Sequence, residues 1–206
     1  MKGSENFMKE NHMYLVTDGS ALRQSDDSFV CSSAFIIKNL KSEVSKGLYL
    51  GKATNQLAEL TAIHEGVTSL ENFDFSGVDK LFIVSDSMYS IDCIKKWYPY
   101  NWSKSDKFNE EGIPFTKTGE PVKHYRLIES IYKRIKDLPV KVKILKIKSH
   151  MPKDSKKMDK AYKQFMEFNK YKLEYPDFLE LVSLNEKCDQ LAETYREENI
   201  NESKGE

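Results

Sequence analysis

One short segment, residues 80–86 (KLFIVSD), constrains the fold of this chain more than any other. Four apolar residues run consecutively from Leu81 to Val84 and are followed by an acidic residue, Asp86. An uninterrupted apolar run of this length is typical of a strand that is buried on both faces in the middle of a sheet. A sheet of that kind must be covered by helices on both sides, and this predicts an α/β protein.

The spacing of apolar residues predicts the other elements. Strands are expected at 13–18, 29–38, 46–51, 80–86 and 140–147, and helices from Thr54, from Ser87 to about Trp97, over 124–136, and from Asn185 to about Glu198. Two hairpins would join the first three strands into an antiparallel meander. The resulting order, β-β-β-α-β-α-α-β followed by an extra segment and a last helix, predicts a mixed five-stranded sheet flanked by helices.

Charge is balanced overall but strongly segregated along the chain. Lys and Arg number 32, as do Asp and Glu, so the formal net charge is zero. Residues 123–172 hold 16 basic and 5 acidic side chains, which leaves 16 basic and 27 acidic side chains elsewhere. Such asymmetry indicates either a surface that meets a polyanion or a solvated lysine-rich helix face, and charge alone does not decide between them.

Several protein classes are excluded by composition. Cys31, Cys93 and Cys188 are far apart and form no CxxC pair, which argues against a disulfide framework or a zinc thiolate site and favours a reducing compartment. The first twelve residues contain no apolar stretch typical of a signal peptide, and no run of about 18 apolar residues occurs. We therefore expect a cytoplasmic protein without a membrane partner.

Four acidic residues occupy positions that a sheet would bring together. Asp18 ends the first strand, Asp86 ends the buried strand, Glu59 lies early in the helix between them, and Asp189 lies on the last helix. Converging carboxylates repel one another, and a hard divalent cation with oxygen ligands relieves that repulsion. Two such ions about 3.5–4 Å apart can hydrolyse phosphodiesters. Taken singly, each residue also has a structural interpretation, as a turn, a helix cap or an ion-pair partner.

Five motifs together resemble type 1 ribonuclease H, in composition and in order. They are TDGS (17–20), TNQLAEL (54–60), VSDSMYSI (84–91), KSH (148–150) and NEKCDQLA (185–192), with Trp97 and Trp102 between the third and fourth. The resemblance covers roughly residues 13–150 and 185–197. It implies the ribonuclease H-like fold and a nuclease that acts on RNA–DNA hybrids.

The resemblance also implies roles for individual residues. The metal ligands would be Asp18, Glu59, Asp86 and Asp189, and these four would be catalytic together with His150, which would assist proton transfer or product release. Contacts to nucleic acid would come from Gly19, Ser20, Thr54, Asn55, Gln56, Met88, Trp102 and His124. Asn55 and Gln56 would reach the 2′-hydroxyls, the group that distinguishes RNA from DNA. His124 stands where relatives have an asparagine in a phosphate pocket.

Residues 151–184 depart from the family pattern, because 34 positions separate His150 from Asn185, where relatives have a handful. The segment predicts a helix over 154–172 and a turn at Pro176. It carries seven lysines: Lys153, Lys156, Lys157, Lys160, Lys163, Lys170 and Lys172. The segment is either a second nucleic-acid-binding element or a solvated helical flap. Relatives carry a basic protrusion after the first tryptophan, but in this chain acidic residues neutralise the corresponding stretch. A nucleic-acid-binding segment at 151–184 would replace that protrusion.

Together these inferences predict an endoribonuclease that hydrolyses the RNA strand of RNA–DNA hybrids with two Mg²⁺ ions per site, Mn²⁺ being a substitute. We expect a monomer with no small-molecule cofactor, built as an N-terminal tail (1–12), a catalytic domain (13–198) that includes the basic helical insertion (151–184), and a disordered polar tail (199–206). Two alternatives are a catalytically silent hybrid-binding module and a structure-selective DNA nuclease. The complete set of carboxylates disfavours the first, and Asn55 with Gln56 disfavours the second.

Overall fold

A mixed five-stranded sheet forms the centre of the protein in a computed structural model that describes residues 11–151 and 154–202. Its strands are β1 (His12–Arg23), β2 (Phe29–Lys38), β3 (Glu43–Lys52), β4 (Lys80–Ser85) and β5 (Lys141–Lys146). They lie in the order β3-β2-β1-β4-β5. The first three strands pair antiparallel, whereas β4 runs parallel to both β1 and β5. The predicted meander and the buried strand within the sheet are confirmed, and the fifth strand lies at an edge.

Six α-helices accompany the sheet within residues 11–151 and 154–202. They are α1 (Asn55–Ser69), α2 (Met88–Asp92), α3 (Tyr98–Tyr100), α4 (Tyr125–Asp137), α5 (Ser155–Asn169) and α6 (Tyr175–Glu202). A single π-helical turn, Cys93–Trp97, joins α2 to α3. No helix in the described part of the chain is long and apolar enough to cross a membrane.

Strand β4 shows why four apolar residues in a row are needed. Leu81 and Ile83 point to a core layer that they share with α1 and α4, whereas Phe82 and Val84 point to the opposite layer, shared with α5 and α6. All four side chains are inaccessible to solvent. Because successive residues of a strand face opposite sides, a central strand between two helical layers must be apolar on both.

The last helix begins ten residues earlier than its sequence motif suggested. A turn at Pro176 was predicted, but Pro176 lies in the first turn of α6, where a proline is tolerated because its missing N–H would have no helical partner. One stripe of buried residues then continues along the helix at spacings of three and four: Phe178, Leu181, Leu184, Cys188 and Ala192. The second half of the 151–184 segment is therefore an extension of the last helix.

The ends of the domain also differ from expectation. Helix α6 continues to Glu202, so residues 199–202 are helical and are not part of a disordered tail. Strand β1 already includes His12, which had been assigned to the N-terminal tail. Residues 1–10 and 203–206, and Lys153 of the predicted basic helix, lie outside the described residues.

Helix α5, the first half of the 151–184 segment, packs into the protein. Ala161 and Phe165 are buried, and the ring centroid of Phe165 lies 5.2 Å from that of Phe178. The amide of Asn169 donates to the carbonyl of Lys146 at 2.9 Å and accepts from its N–H at 2.8 Å. These bonds satisfy the outer edge of β5 as another strand would. The segment is thus part of the core and not a solvated flap.

Candidate active site

Two of the four carboxylates meet because β1 and β4 are parallel neighbours. In their register Thr17 lies opposite Ser85, so the next residues, Asp18 and Asp86, emerge side by side at the same end of the sheet. Strand β1 continues to Arg23 beside β2 alone, while the chain leaves the sheet after Ser85. The two chains therefore diverge after Thr17 and Ser85, and the C-terminal end of β4 is not covered by a further pairing with β1.

Helix α1 brings the third carboxylate, Glu59. Thr54 begins the helix by accepting a hydrogen bond from the N–H of Leu57 at 3.2 Å. Gly19 allows the helix to approach β1 closely, since a Cβ at this position would lie 2.6 Å from the backbone nitrogen of Glu59. The glycine after Asp18 is therefore a requirement of packing, because any side chain would push Glu59 away.

The carboxylates form a tight and largely buried cluster. Within the described residues, Asp18, Glu59 and Asp86 each offer an oxygen, and these atoms all lie within 4.8 Å of one another. Asp18 and Glu59 are each only 5% exposed. Asp189, on α6, lies outside this triangle but close enough for its charge to raise the pKa of Asp18. The fold thus assembles four carboxylates that are distant in the chain.

Burial and mutual repulsion disfavour ionisation of this cluster. Burial, followed by the charges of Asp86 and Asp189, raises the pKa of Asp18 to about 8, although the N–H of Gly19 at 2.9 Å opposes the shift. Burial, with the charges of Asp18 and Asp86, raises the pKa of Glu59 well above its ordinary value. The polypeptide alone therefore does not stabilise all of these carboxyl groups in their ionised form, and a bound cation would do so.

The cluster fits a divalent metal ion. All donors are carboxylate oxygens, which hard cations such as Mg²⁺ and Mn²⁺ prefer to sulfur or imidazole ligands. Glu59 Oε2 is buried and has no hydrogen-bond partner within the described structure, a costly arrangement that coordination would relieve.

One residue of this site, Lys146, was not found from the sequence. Its ammonium group donates to the carbonyl of Asp86 at 2.5 Å and to that of Ile147 at 2.7 Å. Burial lowers the pKa of Lys146, and attraction from Asp86 and Glu59 opposes that shift. In the segment VKVKILKI this lysine breaks the alternation, because Lys146 shares a strand face with Val142 and Ile144 and not with Lys141 and Lys143. Only the position of β5 beside β4 shows which groups it meets.

The residues expected to touch substrate fall into two groups. Thr54, Asn55 and Gln56 are exposed in the first turn of α1, just before Glu59, and Met88 is exposed at the start of α2. Ser20, in contrast, is buried, and its hydroxyl accepts a hydrogen bond from Arg196. The structure therefore places Ser20 inside the protein, with its side chain engaged by α6.

The structure does not place His124 or His150 within the carboxylate cluster, and it pairs the two tryptophans with each other. Trp97 and Trp102 are both half-buried, with ring centroids 5.6 Å apart. His124 precedes α4 with a left-handed backbone (φ 58°), and burial lowers the pKa of its half-buried ring. His150 is exposed beside Lys157 and Lys160 and is not a member of the carboxylate cluster.

This arrangement defines a class of protein: a ribonuclease H-like nuclease, in which two parallel central strands and an adjoining helix bring acidic residues to one end of a mixed sheet. The family model of RNase H matches residues 10–167. The chain belongs to the RNase H family and is a ribonuclease H-type hydrolase. Helix α6 and Asp189 lie beyond the matched range. No curated protein matches the sequence significantly.

Solved structures agree with this assignment at the level of the fold. The RNase H domain of PFV is 20% identical with a TM-score of 0.59, over 89% of this chain and 93% of that one. The Prototype Foamy Virus protease-reverse transcriptase is 19% identical with a TM-score of 0.58, over 94% of this chain and 22% of that one. A foamy viral protease-reverse transcriptase in complex with RNA/DNA hybrid is 17% identical with a TM-score of 0.51, over 71% of this chain and 19% of that one. This chain thus spans about a fifth of the two protease-reverse transcriptases.

Proposed function

We propose that this protein hydrolyses the RNA strand of RNA–DNA hybrids with the help of two bound Mg²⁺ ions. The observation that carries the proposal is the convergence of Asp18, Glu59 and Asp86, whose oxygens lie within 4.8 Å of one another in a member of the RNase H family. Hydrolysis breaks the bond between phosphorus and the 3′-oxygen. The products carry a 3′-hydroxyl and a 5′-phosphate.

The carboxylates would bind the metal ions. Asp18, Glu59 and Asp86 would supply the inner ligands, and Asp189 would complete the set from α6. When bound, the ions supply an activated water and a positive charge on the leaving oxygen. Lys146 keeps Asp86 in place through its backbone carbonyl, and Gly19 sets the distance between Glu59 and β1.

Recognition of RNA is assigned to Asn55 and Gln56. Both amides are exposed in the first turn of α1, and that helix carries Glu59 less than two turns further on. Amide groups both donate and accept hydrogen bonds, as does a 2′-hydroxyl, so they suit a sugar that DNA lacks. Met88 and Trp102 would contact the backbone of the duplex near the site.

The two histidines have separate roles in this proposal. His124 would donate to a phosphate of the DNA strand as a neutral imidazole, since burial lowers its pKa. His150 would move protons or assist product release from the exposed segment after β5. We also propose that the protein acts as a monomer in the cytoplasm, where its three cysteines, all buried and unbridged, stay reduced.

Cleavage of four labelled duplexes tests the proposal: an RNA–DNA hybrid, RNA–RNA, DNA–DNA, and DNA with one ribonucleotide. Each is incubated with Mg²⁺, Mn²⁺ or EDTA. We expect metal-dependent cutting that is confined to the RNA strand of the hybrid. Cleavage of DNA–DNA alone would show a DNA nuclease, and tight hybrid binding without cutting would show a binding module; either result would overturn the proposal.

The Asp86→Asn variant provides the internal control for this assay. We expect it to bind the hybrid but to lose cleavage by at least about a hundredfold, because one metal ligand is lost while the surface is unchanged. Asp106→Asn, the same change at an exposed loop position, should leave cleavage as it is. Full activity of Asp86→Asn in a pure preparation would contradict the metal-site assignment.

A further inference from the structure

A groove to which the proposed function assigns no ligand runs between the segment after β5, which includes His150, and helix α5. It consists of two adjoining cavities of about 280 and 370 Å³, which share Lys148, Ala161 and Gln164 in their walls. We call this feature the α5 groove. Its walls come from residues 146–151 on one side and from α5 on the other.

One compartment of the α5 groove is apolar. Its walls include Met151, Ala161, Phe165 and Phe168. Phe168 is 56% exposed, although the neighbouring rings on the buried face of α5 are packed into the core. A large aromatic side chain that borders a cavity of this size offers an open surface on which a flat ring can stack.

The other compartment is basic. Lys148 and His150 line it from the segment after β5, and Lys157 and Lys160 line it from successive turns of α5. Within the described structure no carboxylate lines either compartment. The charges along this wall are therefore not neutralised locally, and the compartment suits a chain of phosphates.

The α5 groove adjoins the carboxylate cluster. Lys146 lines the apolar compartment, while its ammonium group contacts the carbonyl of Asp86. Asn169 at the end of α5 holds this helix to the backbone of the same residue. The groove is therefore tied to the strand ends at which the scissile phosphate would lie.

We propose that the α5 groove binds an unpaired stretch of the RNA strand that continues from the cleaved hybrid, so that the enzyme recognises a junction between hybrid and single strand. The inference rests on the proposed function for the identity of the strand. Stacking on an aromatic ring combined with cations along a backbone path is how proteins hold single strands. A base within a duplex is already stacked and cannot enter the apolar compartment. Gln164, between the two compartments, can donate to and accept from the edge of an unpaired base.

The test measures affinity, not cleavage, with Asp86→Asn protein in Mg²⁺. The probes are a blunt hybrid, the same hybrid with a short single-stranded RNA tail at either end, and the hybrid with DNA tails. We expect one RNA-tailed hybrid to bind about tenfold more tightly than the blunt duplex, the gain expected from stacking one base. Equal affinity for blunt and tailed hybrids would overturn the inference, and an equal gain from DNA tails would overturn the assignment to the RNA strand.

Two variants of the groove separate stacking from charge. Phe168→Ala should remove most of the advantage of the tail while affinity for the blunt hybrid is unchanged, and the matched exposed change Phe108→Ala should have no effect. Lys160→Glu should reduce the advantage and flatten its salt dependence, since fewer counterions are released. Lys117→Glu, the same charge change at an exposed site away from the groove, serves as its control.

The results also distinguish a failure of the groove proposal from a failure of the proposed function. If Phe168→Ala and Lys160→Glu weaken blunt and tailed hybrids equally, the groove is only an electrostatic grip on the duplex and the inference is wrong. If the wild-type chain fails to cut the hybrid but still prefers the RNA tail, the proposed function fails and the groove assignment stands.

Discussion

Replacing Asp18 by asparagine should stabilise the metal-free protein while it abolishes activity. Asp18 is buried against three other carboxylates, and its pKa is raised from 3.8 to about 8. Near pH 7 the side chain is ionised in the unfolded chain but protonated in the folded one. Because pH 7 lies about three units above the unfolded pKa of 3.8, protonation on folding costs roughly 4 kcal/mol. Asp86 and Asp189 are half-exposed, so water partly screens their charges. We therefore expect Asp18→Asn to raise the free energy of unfolding near pH 7 by about 2–4 kcal/mol.

The direction of the pH dependence follows from the raised pKa. A carboxyl whose pKa is higher in the folded protein contributes most to stability below its unfolded value, near 4, and this contribution is lost as the pH rises to about 8. Asparagine does not titrate. The stability gained by Asp18→Asn should therefore be close to zero near pH 4 and largest near pH 8.

Urea and thermal unfolding in EDTA, at several values between pH 4 and pH 8, measure the effect. Each kcal/mol shifts the melting temperature by about 2–4 °C for a chain of this length. Asp106→Asn, at an exposed site, should show no comparable gain. Addition of Mg²⁺ should stabilise the wild-type protein more than the variant, because metal binding favours the folded state. A variant that is no more stable than the wild type near pH 8 in EDTA would refute the repulsion argument.

Two further substitutions test how the site is positioned. Gly19→Ala should lower the free energy of unfolding by about 1–3 kcal/mol and slow cleavage, since the new Cβ would collide with the backbone of Glu59 and displace α1. An unchanged melting temperature and an unchanged cleavage rate would contradict the close approach of α1 to β1. Asn169→Ala should also lower the free energy of unfolding in urea by about 1–3 kcal/mol, because the partly buried N–H and C=O of Lys146 lose their partners. For this variant, stability equal to that of the wild type would show that α5 is not held to β5 in this way.

The packing of residues 151–184 decides how their function can be tested. Removing residues 153–182 would be the direct way to remove the lysines of the segment. The same deletion would take away Phe178 and Leu181, which are fully buried in the core layer under α6. Loss of such side chains costs several kcal/mol each, so a deletion would report unfolding instead of nucleic-acid affinity. Single changes on the exposed wall of α5 avoid this.

Local patterns in the sequence determined the elements, their order and the acidic residues that the sheet would gather. Four apolar residues in a row specify a strand buried on both faces, and spacings of three and four specify a helix stripe, because both follow from the geometry of the backbone itself. Asp18 and Asp86 were predicted to meet because each ends a strand of the same expected sheet, whereas the parallel pairing of these two strands came from the structure. Each of these inferences depends on residues close together in the chain.

Only the tertiary structure decided which side chains meet across elements. Lys146 shares a strand face with the apolar Val142 and Ile144, and only the pairing of β5 with β4 brings its ammonium group to the carbonyl of Asp86. Pro176 ordinarily ends a helix, but burial of Phe178 and the residues after it places it in a first turn. The α5 groove likewise exists because α5 packs against the segment after β5. Such contacts join residues distant in sequence, and their energies come from burial and hydrogen bonding that no local pattern encodes.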